Sequence, residues 1–310
     1  MKRQLGEADE DAQVKRAHSK RFYKLLAADY THRGFTYREG LNVNNQPWNA
    51  EPICSEGGLY FSSFKYLGRW FRADWPMIAD VEVPDDAQMV KMCDKYKADR
   101  VVLSNFRSVR EFLAEQDDAT LYMWLQLAAI CDLAALDVIV TQATLSDDIL
   151  LEVLDDDRSC VTAQFFKGRS DRVKIAAVQR NPEMLELFEK PISEAVYLAA
   201  IASNPERVFV GLKHDDQTEA LCLAAVQRSP NLLMQVQKQT PAICFAAVME
   251  DPHLLELVDP ELQSEGLCMA AVALDWTVFK MVRVQTPNIC RLVLSKFPDA
   301  RSLVNIPLDF

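Results

Sequence analysis

Chemistry at neutral pH leans first on histidine and on activated cysteine, and the 310 residues hold only four histidines: His18, His32, His214 and His253. His18 belongs to a polar leading stretch, and His214 and His253 belong to a repetitive second half, so His32 is the one beside glycine-rich turns. Cys54, close to Gly57 and Gly58, would be a thiolate nucleophile if His32 served as its base; the competing reading is a thiol buried in a turn. No H-E-x-x-H, G-x-x-x-x-G-K-[ST] or G-x-S-x-G string occurs. The acidic groups Asp147-Asp148 and Asp155-Asp156-Asp157 flank Ile149 to Leu154 with no histidine or cysteine in attendance, which marks helix ends or a solvated loop. These patterns imply no metal and no cofactor.

Any such group must be positioned by a fold, and the composition allows a well-buried one: 49% of residues are hydrophobic and 25% charged. A count of 34 Lys+Arg against 45 Asp+Glu leaves a net charge of -11, which repels a phosphate backbone and argues against general nucleic-acid binding. Leu121 to Val140 has the length of a membrane span, yet Gln126, Asp132 and Asp137 are costly in hydrocarbon, so the expectation is a buried core helix and no membrane partner. Met1 to Lys24 is polar and lacks the apolar h-region of a signal peptide. It reads as a solvated tail, with Val14 to Arg21 as a basic, nuclear-signal-like alternative. Eight cysteines without a C-x-x-C pair imply a reducing compartment and a role as small buried apolar groups.

Two regions carry different punctuation. Gly34, Gly40, Gly57, Gly58 and Gly68 lie among short β-branched or aromatic runs, Phe35–Tyr37, Leu59–Phe61, Met77–Val83 and Val101–Leu103, which is strand-and-turn chemistry. The capping box of Ser108 with Glu111 then introduces helix. From Ser170 a repeat is explicit. Ala176-Ala177-Val178 recurs as Ala199-Ala200-Ile201, Ala224-Ala225-Val226, Ala246-Ala247-Val248, Ala270-Ala271-Val272 and a diverged Leu292-Val293-Leu294. Six positions before each stands Ser170, Ser193, Thr218, Thr240, Ser264 or Thr286, residues that cap helix starts. A second start comes after each anchor at Asn181-Pro182, Asn204-Pro205, Ser229-Pro230, Asp251-Pro252, Asp275-Trp276 and Phe297-Pro298. Each unit thus encodes a helix of roughly 10 residues and a second of roughly 8, too short to survive alone in water, so stacking on neighbours is obligatory. Cys222, Cys244, Cys268 and Cys290 stand in register two residues before their anchors, which makes them packing elements.

The run His32-Arg33-Gly34-Phe35-Thr36-Tyr37-Arg38-Glu39-Gly40-Leu41-Asn42, then Cys54-Ser55-Glu56-Gly57-Gly58-Leu59-Tyr60-Phe61 and Lys97-Ala98-Asp99-Arg100-Val101-Val102-Leu103, resembles the leading domain of repeat proteins from giant DNA viruses of the mimivirus and pandoravirus kind. The segments Gln239 to Val248 and Gln285 to Cys290 resemble the short helical repeats that come after it in that family. This resemblance implies an architecture and a viral source, with no reaction attached. Gly57 to Ser63, followed by Phe64 to Phe71 and Ile78 to Val83, is also similar in order to a block of poly(ADP-ribose) polymerase-type domains. That second resemblance implies NAD held by His32 and Tyr60, with Asp99 in the place of a longer catalytic acid.

The expected fold is mainly α with an α+β N-terminal domain and a C-terminal α-solenoid of about six two-helix repeats of ~23 residues. Its expected parts are a tail (1–21), an α+β head (22–103), a helical connector (104–169) and the solenoid (170–310). The leading functional expectation is a viral scaffold or adaptor whose solenoid docks a host or viral protein. The alternatives are a degenerate or weakly active ADP-ribosyltransferase-like head with His32, Tyr60 and Asp99, and a structural component of the virion. The expected location is the host cytoplasm or viral factory.

Overall fold

A computed structural model describes residues 21–156 and 160–307 of the chain. The tail reading of Met1 to Lys20 and the roles assigned to Asp157 and to Leu308-Asp309-Phe310 lie outside these residues. The chain divides into two compact units, Met1–Arg169 and Ser170–Phe310. A β-sheet region comes first and a helical region second.

In the first unit, β1 (Phe22–Leu26), β4 (Gly40–Val43), β5 (Leu59–Ser63), β6 (Met77–Glu82), β7 (Met89–Lys91), β8 (Tyr96–Ala98) and β9 (Arg100–Ser108) form a seven-stranded sheet in the order β4-β9-β6-β1-β5-β8-β7. Every pairing is antiparallel. A separate hairpin joins β2 (Thr31–His32) to β3 (Phe35–Thr36) through Arg33 and Gly34, both at positive φ, 53° and 76°. That is the backbone a tight two-residue hairpin demands, and glycine at the second position relieves half of its strain. One sheet face buries Leu26, Leu59, Phe61, Ala79, Ala98 and Leu103 in a common core.

The capping box at Ser108 forms as the sequence indicates: its hydroxyl accepts from Glu111 N, and the Glu111 carboxylate accepts from Ser108 N. It opens α1 (Val109–Ala114), and α2 (Asp118–Cys131) and α3 (Leu133–Gln142) come next. The apolar stretch expected as one core helix is therefore two. Asp132 breaks it, its carboxylate accepting from Ala134 N and Ala135 N as the cap of α3 and pairing with Arg72 at 2.6 Å. Trp124 of α2 is fully buried and donates to Phe64 O at 2.9 Å. Gly68 permits this contact, since a Cβ there would lie 2.5 Å from Trp124 Cβ. Two further helices, α4 (Asp147–Asp155) and α5 (Ala163–Phe166), complete the unit, and Asp147 and Asp148 stand in the first turn of α4, where the helix dipole favours acids. The helices after Ser108 thus lie in the same compact unit as the sheet.

In the second unit, α6 (Asp171–Arg180), α7 (Glu194–Ser203), α9 (Glu219–Arg228), α10 (Pro241–Glu250), α11 (Glu265–Leu274) and α12 (Pro287–Lys296) begin at the expected cap residues. The hydroxyls of Ser193, Thr218, Thr240, Ser264 and Thr286 each accept from the amide three residues on. The second starts also stand where expected, with Asn181, Asn204, Asp251 and Asp275 as side-chain caps. The segments they open are shorter than a second helix of roughly 8 residues. Apart from α8 (Pro205–Gly211), these are six-residue 3-10 turns, as at Pro230–Gln235 and Pro252–Leu257. So brief a segment tightens to i→i+3 bonding and gains its stability from packing.

A glutamine ladder ties successive units together. Gln217, Gln239, Gln263 and Gln285 each stand one residue before a cap, and each Oε1 accepts from a backbone amide 20 residues later: Gln237, Asp259, Arg283 and Asn305, at 2.7–3.1 Å. Three of them donate Nε2 to a carbonyl 18 residues later, Gln235, Leu257 or Leu303. Gln263 instead donates back to Leu255 O. The caps add a second tie, because the hydroxyls of Thr218, Thr240 and Thr286 donate to Glu194, Glu219 and Glu265 at the start of the preceding first helix.

Cys222, Cys244, Cys268 and Cys290 are buried and unpaired, as packing elements should be. Two also join the ladder, Cys244 and Cys290 donating to Gln239 Oε1 and Gln285 Oε1. Burial pushes all four thiols up in pKa, Cys244 to about 11, so the reactive thiolate is scarce at neutral pH. Cys54, Cys93, Cys131 and Cys160 are exposed. A thiol-colour assay on native protein should therefore modify those four quickly, and the repeat cysteines only after denaturation. Rapid native modification of Cys244 would show that the units open on the assay timescale.

Candidate functional site

Two places in the molecule stand out chemically, one in each unit. The first is a pocket in the sheet unit that begins with a parting of strands. β1 and β5 pair only through Phe22 with Ser63 and Tyr23 with Ser62. Beyond that point β5 pairs with β8, while β1 keeps only β6, which it pairs along its whole length on the other edge. The gap between the diverging strands forms a cavity of about 90 Å³ that opens to solvent, and its walls include Lys24, His32, Tyr60 and Lys95.

His32 and Tyr60 thus line one cavity. Lys24 Nζ lies 2.7 Å from His32 Nδ1, the ammonium donating to the ring nitrogen. The imidazole also stands edge-on to Trp75, with ring centroids 5.0 Å apart. Tyr60 is buried and its hydroxyl donates to Ser55 O. Asp99 does not join them. It accepts from Gln88 N at 2.9 Å and pairs with Arg100 at 3.2 Å, away from the pocket walls. The residue paired with Tyr60 on β8 is instead Lys97, whose buried ammonium donates to Glu51 O at 2.7 Å. A side chain at Gly58 would collide with it. Cys54 is exposed and lies outside the pocket walls, so it does not meet His32 there. Among the described residues, no group of three or more His, Cys, Asp or Glu is placed to hold a metal ion.

Burial first, and then the neighbouring charges of Lys24, Arg33 and Lys95, lower the His32 pKa from 6.5 to about 3. The unfolded chain takes up this proton at higher pH than the folded one. The stability tied to neutral His32 is complete above pH 6.5 and is lost progressively as pH falls toward 3. Melting curves between about pH 4 and 7 should therefore show wild type losing ground to His32→Gln as the medium is acidified. A gap independent of pH would mean that folded His32 takes up protons freely.

The second place is a face of the repeat unit. On α9, α10 and α11 the third, fourth, seventh and eighth residues are buried, as with Ile243, Cys244, Ala247 and Val248. The second, fifth and ninth turn outward. On α7, α9, α10 and α11 these are Ala195, Leu198 and Ala202; Ala220, Leu223 and Gln227; Ala242, Phe245 and Met249; and Gly266, Met269 and Ala273, all exposed or half-exposed. Four successive helices therefore present an outer row with no charged residue. The flanking helices are more polar at the same register, with Arg172 and Gln179 on either side of a half-exposed Ile175 on α6, and Asn288, Arg291 and Ser295 on α12. Phe245 is 49% exposed at the middle of the row. Repeat spacing alone does not reveal this pattern, because the conspicuous anchor is the buried side of each helix, whereas the outer positions vary in residue type.

No helix among the described residues is long and apolar enough to cross a membrane. No family model matches the chain, and no solved structure matches it. It is similar to an ankyrin repeat protein of Acanthamoeba polyphaga mimivirus, with 30% identity over 105 residues, which is 32% of this chain and 52% of that protein. The chain spans about half the length of that relative, and the likeness is to a repeat protein of a giant virus.

Proposed function

We propose that this is a viral protein-binding scaffold: an α+β head whose sheet runs on through β9 to Ser108 rather than ending at 103, a helical segment (109–169) in the same compact unit, and an α-solenoid of six short units (170–310) that holds a partner protein on the outer face of its first helices. The observation that carries the proposal is the uncharged row on α7, α9, α10 and α11. A surface whose only task is solubility would be interspersed with charge, whereas an apolar row rimmed by polar residues is the usual mark of a docking site. The stacking supports the same reading, since repeat units generate extended binding surfaces from short sequences. So does the likeness to a mimivirus ankyrin repeat protein. The period here, 22 to 25 residues between anchors, is shorter than the ~33 of an ankyrin repeat, so the shared property is repetition rather than that particular unit. The partner that fits is an amphipathic helix or an extended segment offering Leu, Phe or Met to the Phe245 and Met269 positions.

The test is affinity capture from infected cells with wild type, with Phe245→Glu and Met269→Glu, and with Met234→Glu as a control on an exposed 3-10 turn. Each substitution is at a surface position and should change stability by only about 0.5 kcal/mol. A partner retained by wild type and the control but lost by at least about tenfold in both row variants is the expected result. A partner captured equally by every form would remove the row from the interaction.

A further inference from the structure

The pocket between β1 and β5 is unusual in its charge. Lys24 is only 3% exposed, and its contacts are the His32 ring nitrogen and the face of Tyr37, 4.7 Å from the centroid. Among the described residues no carboxylate lies within ion-pair distance of it. Lys95 and Arg33 border the same cavity and both lie over Tyr60, at 5.4 and 5.2 Å from its centroid. No aspartate or glutamate lines the walls. Asp94, the acid nearest in sequence, is paired with Arg69 at 2.9 Å. This concentration of positive charge occurs in a chain of net charge -11, so it does not arise from overall composition. A buried cation without a counter-charge is destabilising, and here burial, then Arg33 and Lys95, hold the Lys24 pKa well below its ordinary value. The backbone at Arg33 is also strained at φ 53°, and the guanidinium it carries stands at the pocket. Unbalanced charge and local strain at one cavity are typical of a binding site waiting for its ligand.

We propose that this pocket binds the phosphate group of a small phosphomonoester, with Lys24 at its floor and Arg33 and Lys95 at its mouth. Arg33 and Lys95, joined by a Lys24 ammonium that burial disfavours and an incoming anion stabilises, match a dianion better than a carboxylate's single charge, and a phosphomonoester is largely dianionic at neutral pH. The cavity of about 90 Å³ accommodates the anionic head. The walls of Tyr60, Trp70 and Trp75 then favour a compact ring over a long polar body. This inference is independent of the repeat surface, and either can fail without the other.

Titration of the full-length protein with phenyl phosphate, benzoate, phenol and inorganic phosphate, monitored by tryptophan fluorescence and calorimetry, tests it. Phenyl phosphate should bind most tightly, inorganic phosphate and benzoate at least about tenfold more weakly, and phenol not measurably, with affinity falling as salt rises. Lys24→Met, which replaces the buried ammonium with an apolar group of similar length, should melt no lower than wild type and lose at least about tenfold in affinity. Lys95→Met should lose affinity as well, and it reports even if the buried substitution disturbs folding. Phenol binding as well as phenyl phosphate, benzoate binding equally, no binding of phenyl phosphate at millimolar concentration, or undiminished binding to Lys95→Met would each overturn the assignment.

Discussion

Leu255→Ala is expected to lower stability by about 2–5 kcal/mol, the range for deleting a buried leucine where the surroundings cannot collapse into the space. Leu255 is fully buried in the 3-10 turn Pro252–Leu257. That turn packs against α10 of its own unit, against α11 of the next, and against the corresponding turns on both sides. No single unit can refill the void, because its walls belong to three. Two residues along, Leu257 is 40% exposed, so Leu257→Ala should stay within about 0.5 kcal/mol of wild type. Urea denaturation of the pair separates the cases. A Leu255→Ala cost below about 1 kcal/mol would mean that the units do not depend on one another for their cores.

Gln239→Ala is expected to cost about 1–3 kcal/mol, because one truncation strips partners from two backbone groups of the following unit at once. Its Nε2 donates to Leu257 O at 2.8 Å and its Oε1 accepts from Asp259 N at 2.9 Å. Only an amide does both. Gln239→Glu keeps the acceptor for Asp259 and sets a carboxylate oxygen against the Leu257 carbonyl, so it should recover little of the loss. Hydrogen exchange provides the sharper reading: the Asp259 amide should lose protection in Gln239→Ala and keep most of it in Gln239→Glu. Equal exchange in all three proteins would show that the ladder is incidental to the stacking.

The first helices of the repeat region are legible in the sequence because their signals are local. A hydroxyl at Thr240, a proline at Pro241 and the small pair Ala246-Ala247 each act within one turn of helix, and they recur in phase. The ladder is not legible in that way. A glutamine before a cap looks like any loop residue until the amide 20 positions later is placed beside it. The second elements read as helices in the sequence since Leu255 with Val258 satisfies helical spacing, while six residues hold only 3-10 bonding. In the sheet unit, the central strand β1 is hidden because Lys24 interrupts Phe22-Tyr23-Lys24-Leu25-Leu26 and gives it the look of a tail. That same lysine is the floor of the pocket. His32 and Tyr60 carry a resemblance and do meet, whereas Asp99 is held by Arg100 and the long-range partners Lys95, Trp70 and Trp75 carry no local signal at all.

The glutamines also act as a gauge of length. Every one accepts from the amide 20 positions on, yet the steps from Gln217 to Gln239, Gln239 to Gln263 and Gln263 to Gln285 are 22, 24 and 22 residues. The two additional residues fall wholly in the stretch after Asp259, where the short 3-10 turn Pro260–Leu262 sits. Each of these four units is thus a measured span with an elastic joint at its end. Inserted residues should be tolerated in the joint and rejected within the span, which lets such a chain acquire new surface loops without losing the alignment of its layers.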